Sequence, residues 1–142
     1  MQEFQSLALQ ESFMSLLLYH KVFAYFFILP FALNLFVLFF ASHNLVSMNK
    51  KIYFIAPITF FLLSVSVLSG LNIWIFGHVE LSLSLIAMIT FCIFVFIGEI
   101  FRIRILKVAR RTNLAAMQSY IRFCKTLYVF DLVFFALLMW FA

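Results

Sequence analysis

Charge is confined to a few short segments of this chain, and long apolar runs lie between them. Seven of the ten basic residues fall between Arg102 and Lys125, and only five acidic residues occur in 142 positions. Charged residues make up 11% of the chain and hydrophobic residues 67%, whereas soluble domains contain about 25% charged residues. A water-soluble globule of this size needs more polar surface, so the pattern predicts helices embedded in a lipid bilayer.

Four apolar stretches are long enough to cross the roughly 30 Å of hydrocarbon in a bilayer. They predict an all-α integral membrane protein, a bundle of four transmembrane helices that forms a single membrane domain. The predicted spans cover residues 15–41, 52–76, 81–101 and 126–142. The two cysteines, Cys92 and Cys124, have no CxxC or metal-ligand spacing, which argues against a disulfide framework or a zinc site.

Basic residues are unevenly distributed over the links between these spans. The first link holds two, the short turn at 77–80 holds none, the third link holds seven, and none follows Lys125. Cytoplasmic loops of membrane proteins carry the excess of Lys and Arg. We therefore expect a bacterial inner-membrane protein with both termini outside. Its basic segment should meet anionic lipid head groups, and no nucleic-acid partner is expected.

The third link contains helical signals of its own. Thr112 and Asn113 are favourable N-cap residues, and Leu114, Met117 and Ile121 follow at helical spacing. This pattern predicts a basic amphipathic helix on the cytoplasmic surface between the third and fourth transmembrane helices. The alternative is a helical extension of the fourth span whose charges only set topology.

Small residues and prolines mark positions where the spans can approach or bend. Ser66 and Gly70 of the second span form a small-xxx-small pair, which favours close helix packing. Pro30 and Pro57 lie within the first two spans, and each can kink its helix because it removes one backbone hydrogen bond. Asn34, four residues after Pro30, could bond across helices or to a freed carbonyl.

Charged residues inside or near hydrocarbon need partners. Glu99 and Arg102 are three residues apart, which suits an i,i+3 ion pair on one helix. Asp131 lies six residues past the last basic residue, about 9 Å along a helix. One interpretation of Asp131 is a structural salt bridge or hydrogen bond with Arg102, Arg122 or Tyr128. The other is a carboxylate that relays protons.

Two histidines are predicted on the same side of the membrane. His20 and Lys21 lie at the outer end of the first span, and His78 and Glu80 lie in the outer turn. Histidines at similar depth on different helices could ligate a haem iron, or a metal together with Glu80. They could equally be interfacial polar residues. His43, on the opposite side, is expected to be a loop residue.

The order of these features resembles that of haem-associated four-helix membrane proteins. A histidine opens the first span in Leu-Leu-Tyr-His-Lys at 17–21. The second span runs from Lys51 through Pro57 to a Gly-x-x-x-Trp ending at 70–74. In this layout the chain resembles the HemJ-type protoporphyrinogen oxidases and the copper-resistance D-like membrane domain.

The resemblance implies haem b as a cofactor, with His20 as its ligand and His78 or Lys21 nearby. The chain departs from the family pattern at Glu80, where the functional lysine of the family would fall. It departs again at 122–126, where an Asn-Glu signature is expected. The resemblance therefore carries haem binding to this chain but does not carry oxidase activity.

Three classes of function are compatible with the sequence. The first is a haem-linked redox membrane protein. The second is a non-enzymatic membrane subunit or assembly factor, whose 22 phenylalanines suit packing against a larger membrane-protein partner. The third is a small proton-coupled transporter that uses Asp131 and Glu99, and four helices would then require a homo-oligomer to form a pathway. Motifs of soluble enzymes, such as a phosphate-binding Gly-rich loop or HExxH, do not occur.

Overall fold

The computed structural model describes residues 1–40, 45–78, 80–112 and 114–141, and over these residues the protein is helical without strands. Four helical stretches are long and apolar enough to cross a membrane, which confirms the predicted all-α class and its four apolar spans. His43 and Asn113 lie outside the described residues. The helices are α1 (Gln2–Tyr25), α2 (Ile28–Phe40), α3 (Leu45–Gly77), α4 (Leu83–Thr112) and α5 (Leu114–Phe141).

The first apolar stretch consists of α1 and α2, separated by a two-residue break. Pro30 has no N–H to donate to the carbonyl of Phe26, four residues earlier, and its ring crowds that carbonyl. The carbonyl accepts the N–H of Leu29 instead, at 3.1 Å, so the chain tightens locally to three-residue bonds. By contrast, α3 continues through Pro57.

The described residues of the third link, 102–125, belong to α4 and α5. Because α4 continues to Thr112 and α5 begins at Leu114, the predicted separate amphipathic helix between the third and fourth transmembrane helices is wrong. The physical reason is burial, since Ala109 near the end of α4 and Met117 and Tyr120 near the start of α5 all belong to the core. Extending both helices removes these side chains from the surface.

Four helices surround a common interior, and α1 packs on the outside against α3. Both α2 and α4 contact α3 and α5, so α3 and α5 occupy diagonal positions. We call the end where α4 ends and α5 begins the basic end, and the end where α3 ends and α4 begins the opposite end. Towards the opposite end, Phe27, Phe91 and Phe135 form an aromatic core, with Phe91 5.9 Å from each of the other two ring centroids.

Small residues lie where helices approach most closely. A Cβ added at Gly98 of α4 would lie 2.9 Å from Cδ1 of Leu127 on α5, and one added at Gly70 of α3 would lie 3.5 Å from Cε1 of His20 on α1. Ser66 of α3 is buried as well. The close approach at Gly98 brings the neighbouring Glu99 against α5.

Candidate functional site

Glu99 and Arg102 form a buried ion pair on α4. Nη2 of Arg102 lies 2.9 Å from Oε2 of Glu99, and Nε of Arg102 donates to the same oxygen at 3.0 Å. Their side chains are 1% and 3% exposed. Charge-assisted bonds compensate both ions where a single isolated charge would be very costly.

Two tyrosines of α5 complete this arrangement. The hydroxyl of Tyr128 donates to Oε1 of Glu99 at 2.8 Å, and Nη1 of Arg102 donates to the hydroxyl of Tyr120 at 3.1 Å. The two tyrosines are eight residues apart and therefore share one helix face. We call Glu99, Arg102, Tyr120 and Tyr128 the ion network, and its charges compensate each other.

Asp131 is buried near the ion network but is not bonded to it. The residue is 1% exposed, and its Oδ1 atom has no hydrogen-bond partner in the described part of the chain. Arg102 and Tyr128, two of its predicted partners, bond to Glu99 instead, and the third, Arg122, is exposed. Asp131 is close enough to Glu99 for an electrostatic interaction.

Asn34 of α2 lies within one helical turn of Asp131 along the bundle axis. The two helices run antiparallel, because Phe27, just before α2, contacts Phe135 late in α5, while Phe39 at the other end of α2 contacts Lys125, earlier in α5. Counting from these two contacts places Asn34 opposite positions 128–130 of α5. Asn34 is 1% exposed, so its side chain faces the interior.

Thr59 of α3 lies at the same level. The phenylalanine that follows it has its ring centroid 6.2 Å from that of Phe96 on α4. Phe96 precedes Glu99 by three residues, and Glu99 bonds to Tyr128 of the antiparallel α5. Phe96 is therefore level with Asp131, and Thr59, at 0% exposure, faces the interior from the diagonal helix.

We call Asn34, Thr59 and Asp131 the polar layer. Three helices contribute to it, and Oδ1 of Asn34, Oγ1 of Thr59 and Oδ1 of Asp131 all lack hydrogen-bond partners among the described residues. Asn49 and Ser66 also carry such atoms, but they lie about 15 Å and about 10 Å from Thr59 along α3. Burying polar atoms without partners costs free energy, so three such atoms at one level favour a bound water molecule or ion that they contact.

His20 contacts α3 rather than the turn between α3 and α4. Its Nδ1 lies 2.7 Å from Oγ of Ser69. His78 is exposed and follows α3 with a φ of 45°, a left-handed conformation typical of helix ends. Since Ser69 precedes His78 by nine residues, the two histidines are separated by about 13 Å along α3. The structure does not bring them together.

The other residues predicted near a haem or metal are on the surface. Lys21 and Glu80 are exposed, and the described residues contain no group of three or more His, Cys, Asp or Glu side chains that could hold a metal ion. The bond to Ser69 involves Nδ1 of His20 and leaves Nε2 as the atom that could ligate an iron. Haem ligation by His20 stays a prediction.

The sequence alone does not single out Tyr120, and for Asn34 it predicts only a bond across helices or to a freed carbonyl. One signal for Tyr120 is present, because Tyr120, Cys124 and Tyr128 recur every four residues and so share a face. The common level of Asn34, Thr59 and Asp131 has no such signal, since it depends on how three helices align.

No family model, curated protein or solved structure matches this chain. The resemblance to HemJ-type proteins therefore stays a prediction from the layout of the sequence.

Proposed function

We propose that this protein is a small proton-coupled transporter whose bundle interior takes up and releases a proton at Asp131. The observation that carries the proposal is the contrast between two buried carboxylates. Glu99 has its charge compensated by Arg102 and a hydrogen bond from Tyr128. About one helical turn away, Oδ1 of Asp131 has no hydrogen-bond partner among the described residues, and a proton is the smallest species that supplies the missing compensation. Intramembrane carboxylates of this kind are typical of proton relays.

The ion network offers a polar route between Asp131 and the basic end. Tyr128 lies one turn from Asp131 and bonds to Glu99, and Arg102 connects Glu99 to Tyr120, which lies nearer the basic end. In the other direction the interior next to Asp131 is filled by the apolar side chains of the aromatic core. Protons therefore reach Asp131 from the basic end. A path for a larger substrate requires a second copy of the chain.

The proposal includes an orientation in a bacterial inner membrane, with the basic end in the cytoplasm and both termini outside. It is supported by the distribution of Lys and Arg over the links. Alkaline phosphatase fused after residue 142 should be active, because this enzyme folds only outside the cytoplasm. A fluorescent protein that folds only in the cytoplasm should be dark at the same position. The reverse pattern would overturn the orientation.

Proton transport is tested in liposomes that contain the purified protein and a pH-sensitive dye. One set of liposomes has a potassium diffusion potential as the driving force and a second set has a Na⁺ gradient, and in at least one set the wild type should move protons faster than empty liposomes. Asp131→Asn should lose this flux. Glu80→Gln, the same change at an exposed carboxylate, should retain it. A wild-type rate equal to that of empty liposomes in both sets, or an unaltered rate in Asp131→Asn, would overturn the proposal.

A membrane subunit or assembly factor is the second candidate, and α1 favours it. Because His20 is level with Ser69 and α3 ends at Gly77, residues 2–11 extend past the end of α3 by about 15 Å. Phe4 is 80% exposed on this extension. If the extension docks on a partner, Phe4→Ser should reduce co-purification of a defined complex, while Gln5→Ser should not. A chain that purifies alone from gently solubilised membranes would count against this role.

Haem binding at His20 is a separate proposal, supported by the Ser69 contact that orients the imidazole ring. Protein purified from haem-replete cells should show a Soret band that weakens in His20→Ala and persists in His78→Ala. A colourless wild-type preparation would overturn it.

A further inference from the structure

We infer that the polar layer binds a single Na⁺ ion between Asn34, Thr59 and Asp131, in exchange for a proton. The inference rests on the proposed function, because it names the ion that competes with the proton at Asp131. It starts from three buried oxygen atoms that three helices bring to one level of the bundle and that have no partner in the described ranges.

The ligand chemistry of the layer suits a hard cation. An amide, a hydroxyl and a carboxylate offer only oxygen as cation ligands, the atom that alkali and alkaline-earth ions prefer. The aromatic core, on the side of the opposite end, keeps bulk water away. An ion at this level therefore depends on protein oxygens and on water molecules that enter with it.

The charge of the interior selects a monovalent ion. Glu99 and Arg102 compensate each other within the ion network, so Asp131 contributes the single negative charge that remains. One Na⁺ neutralises this charge, whereas a divalent ion would leave an excess positive charge in an apolar interior. The described residues also lack a cluster of three acidic, His or Cys ligands, the donor set of stronger divalent sites.

The exchange is balanced in atoms and charge. The protonated carboxyl of Asp131 releases H⁺ towards the basic end, and the carboxylate that remains binds Na⁺ together with Asn34 and Thr59. The reverse step releases Na⁺ and restores the proton. Ion sites near the middle of the membrane, formed by several helices, are the usual arrangement in secondary transporters.

The test measures binding of ²²Na⁺ to the purified full-length chain at constant ionic strength, with choline as the replacement ion. Saturable binding is expected, and raising the proton concentration should weaken it competitively. Thr59→Val removes one oxygen at nearly constant volume and should reduce the affinity about ten-fold or more, because even outer-shell partners of metal sites contribute that much. Asp131→Asn should abolish binding.

Thr90→Val is the matched control, because Thr90 is exposed and its hydroxyl donates to the Ile86 carbonyl of its own helix. It should bind Na⁺ as the wild type does. Absence of saturable binding in the wild type, or equal affinity in Thr59→Val and Thr90→Val, would overturn the sodium site. Proton flux without sodium binding would contradict the sodium site but not the proposed proton transport. Sodium binding without proton flux would contradict the proton transport but not the sodium site.

Discussion

Arg102 is the residue on which the buried charges depend most. Its guanidinium contacts Oε2 of Glu99 through two nitrogens and donates to Tyr120 through the third. If it is removed, Glu99 becomes a buried carboxylate held only by Tyr128. Breaking one side of a buried pair is much more costly than removing both charges together.

Arg102→Met should therefore lower the free energy of unfolding by about 3–5 kcal/mol. The double variant Arg102→Met, Glu99→Gln should recover a large part of this loss, because no isolated charge remains. Arg104→Met, at an exposed position two residues away, is the control and should change stability little. Denaturation in detergent measures all three, and a double variant less stable than Arg102→Met would contradict the explanation.

At the scale of single residues, the sequence predicts neighbours along one helix better than partners across helices. The Glu99–Arg102 pair follows from a spacing of three residues on one helix. Which carboxylate Tyr128 would bond could not be predicted, because Glu99 and Asp131 both lie within reach of its helix face. The rotation of α4 relative to α5 decides between them, and that rotation depends on Gly98 and its contact with Leu127.

At the scale of elements, the α1–α2 break follows from Pro30, while the continuous α4 and α5 follow from tertiary burial. The N-cap signal near 112 correctly predicts that a helix starts there. It cannot show that the preceding helix, α4, continues up to that point. Ala109 and Tyr120 find buried positions only when both helices are extended. Local signals therefore predict where an element starts or bends, and packing decides how long it is.

Pro30→Ala should straighten the α1–α2 stretch, because an N–H becomes available for the Phe26 carbonyl. Spin labels at Met14 and Phe36, both exposed, should then move apart. Pro57→Ala is the matched control, since α3 already continues through this proline and the labels should stay at their original separation. An unchanged distance in Pro30→Ala would show that packing, and not the proline, holds the break.

Gly98→Ile should weaken the contact between α4 and α5, because even a Cβ at this position lies 2.9 Å from Leu127. Overpacking of this kind costs about 1–3 kcal/mol. Adding Leu127→Ala should restore part of the stability. At Gly70 a Cβ would lie at an ordinary 3.5 Å from His20, so Gly70→Ala should be mild. Thermal unfolding of the wild type and these three variants tests the order, and equal losses of stability at both glycines would contradict it.

At the scale of the whole molecule, the interior contains the ion network and the polar layer, while the surface is apolar along the spans. The basic end exposes Lys50, Lys51, Arg104 and Lys107. Basic side chains next to a membrane surface attract anionic lipids by about 1 kcal/mol each.

The protein should therefore be more stable in nanodiscs of phosphatidylglycerol than in nanodiscs of phosphatidylcholine. The difference should shrink as salt is added, because exposed charges are screened. Replacing Lys50, Lys51 and Lys107 by Gln should remove most of it, whereas Lys21→Gln at the other end of the first span should not. A lipid preference that is insensitive to salt would point to a different cause.

The aromatic core of Phe27, Phe91 and Phe135 lies on one side of the polar layer, and the ion network lies on the other. If the helices span a membrane, the polar layer lies part of the way through the electrical potential. An ion that moves from the basic end to Asp131 crosses only part of the electric field. Its free energy therefore changes by a fraction of the value for crossing the whole membrane, which is about 2.3 kcal/mol per charge and 100 mV. Occupancy of the polar layer would thus vary with membrane voltage. This response would not require the movement of a charged helix.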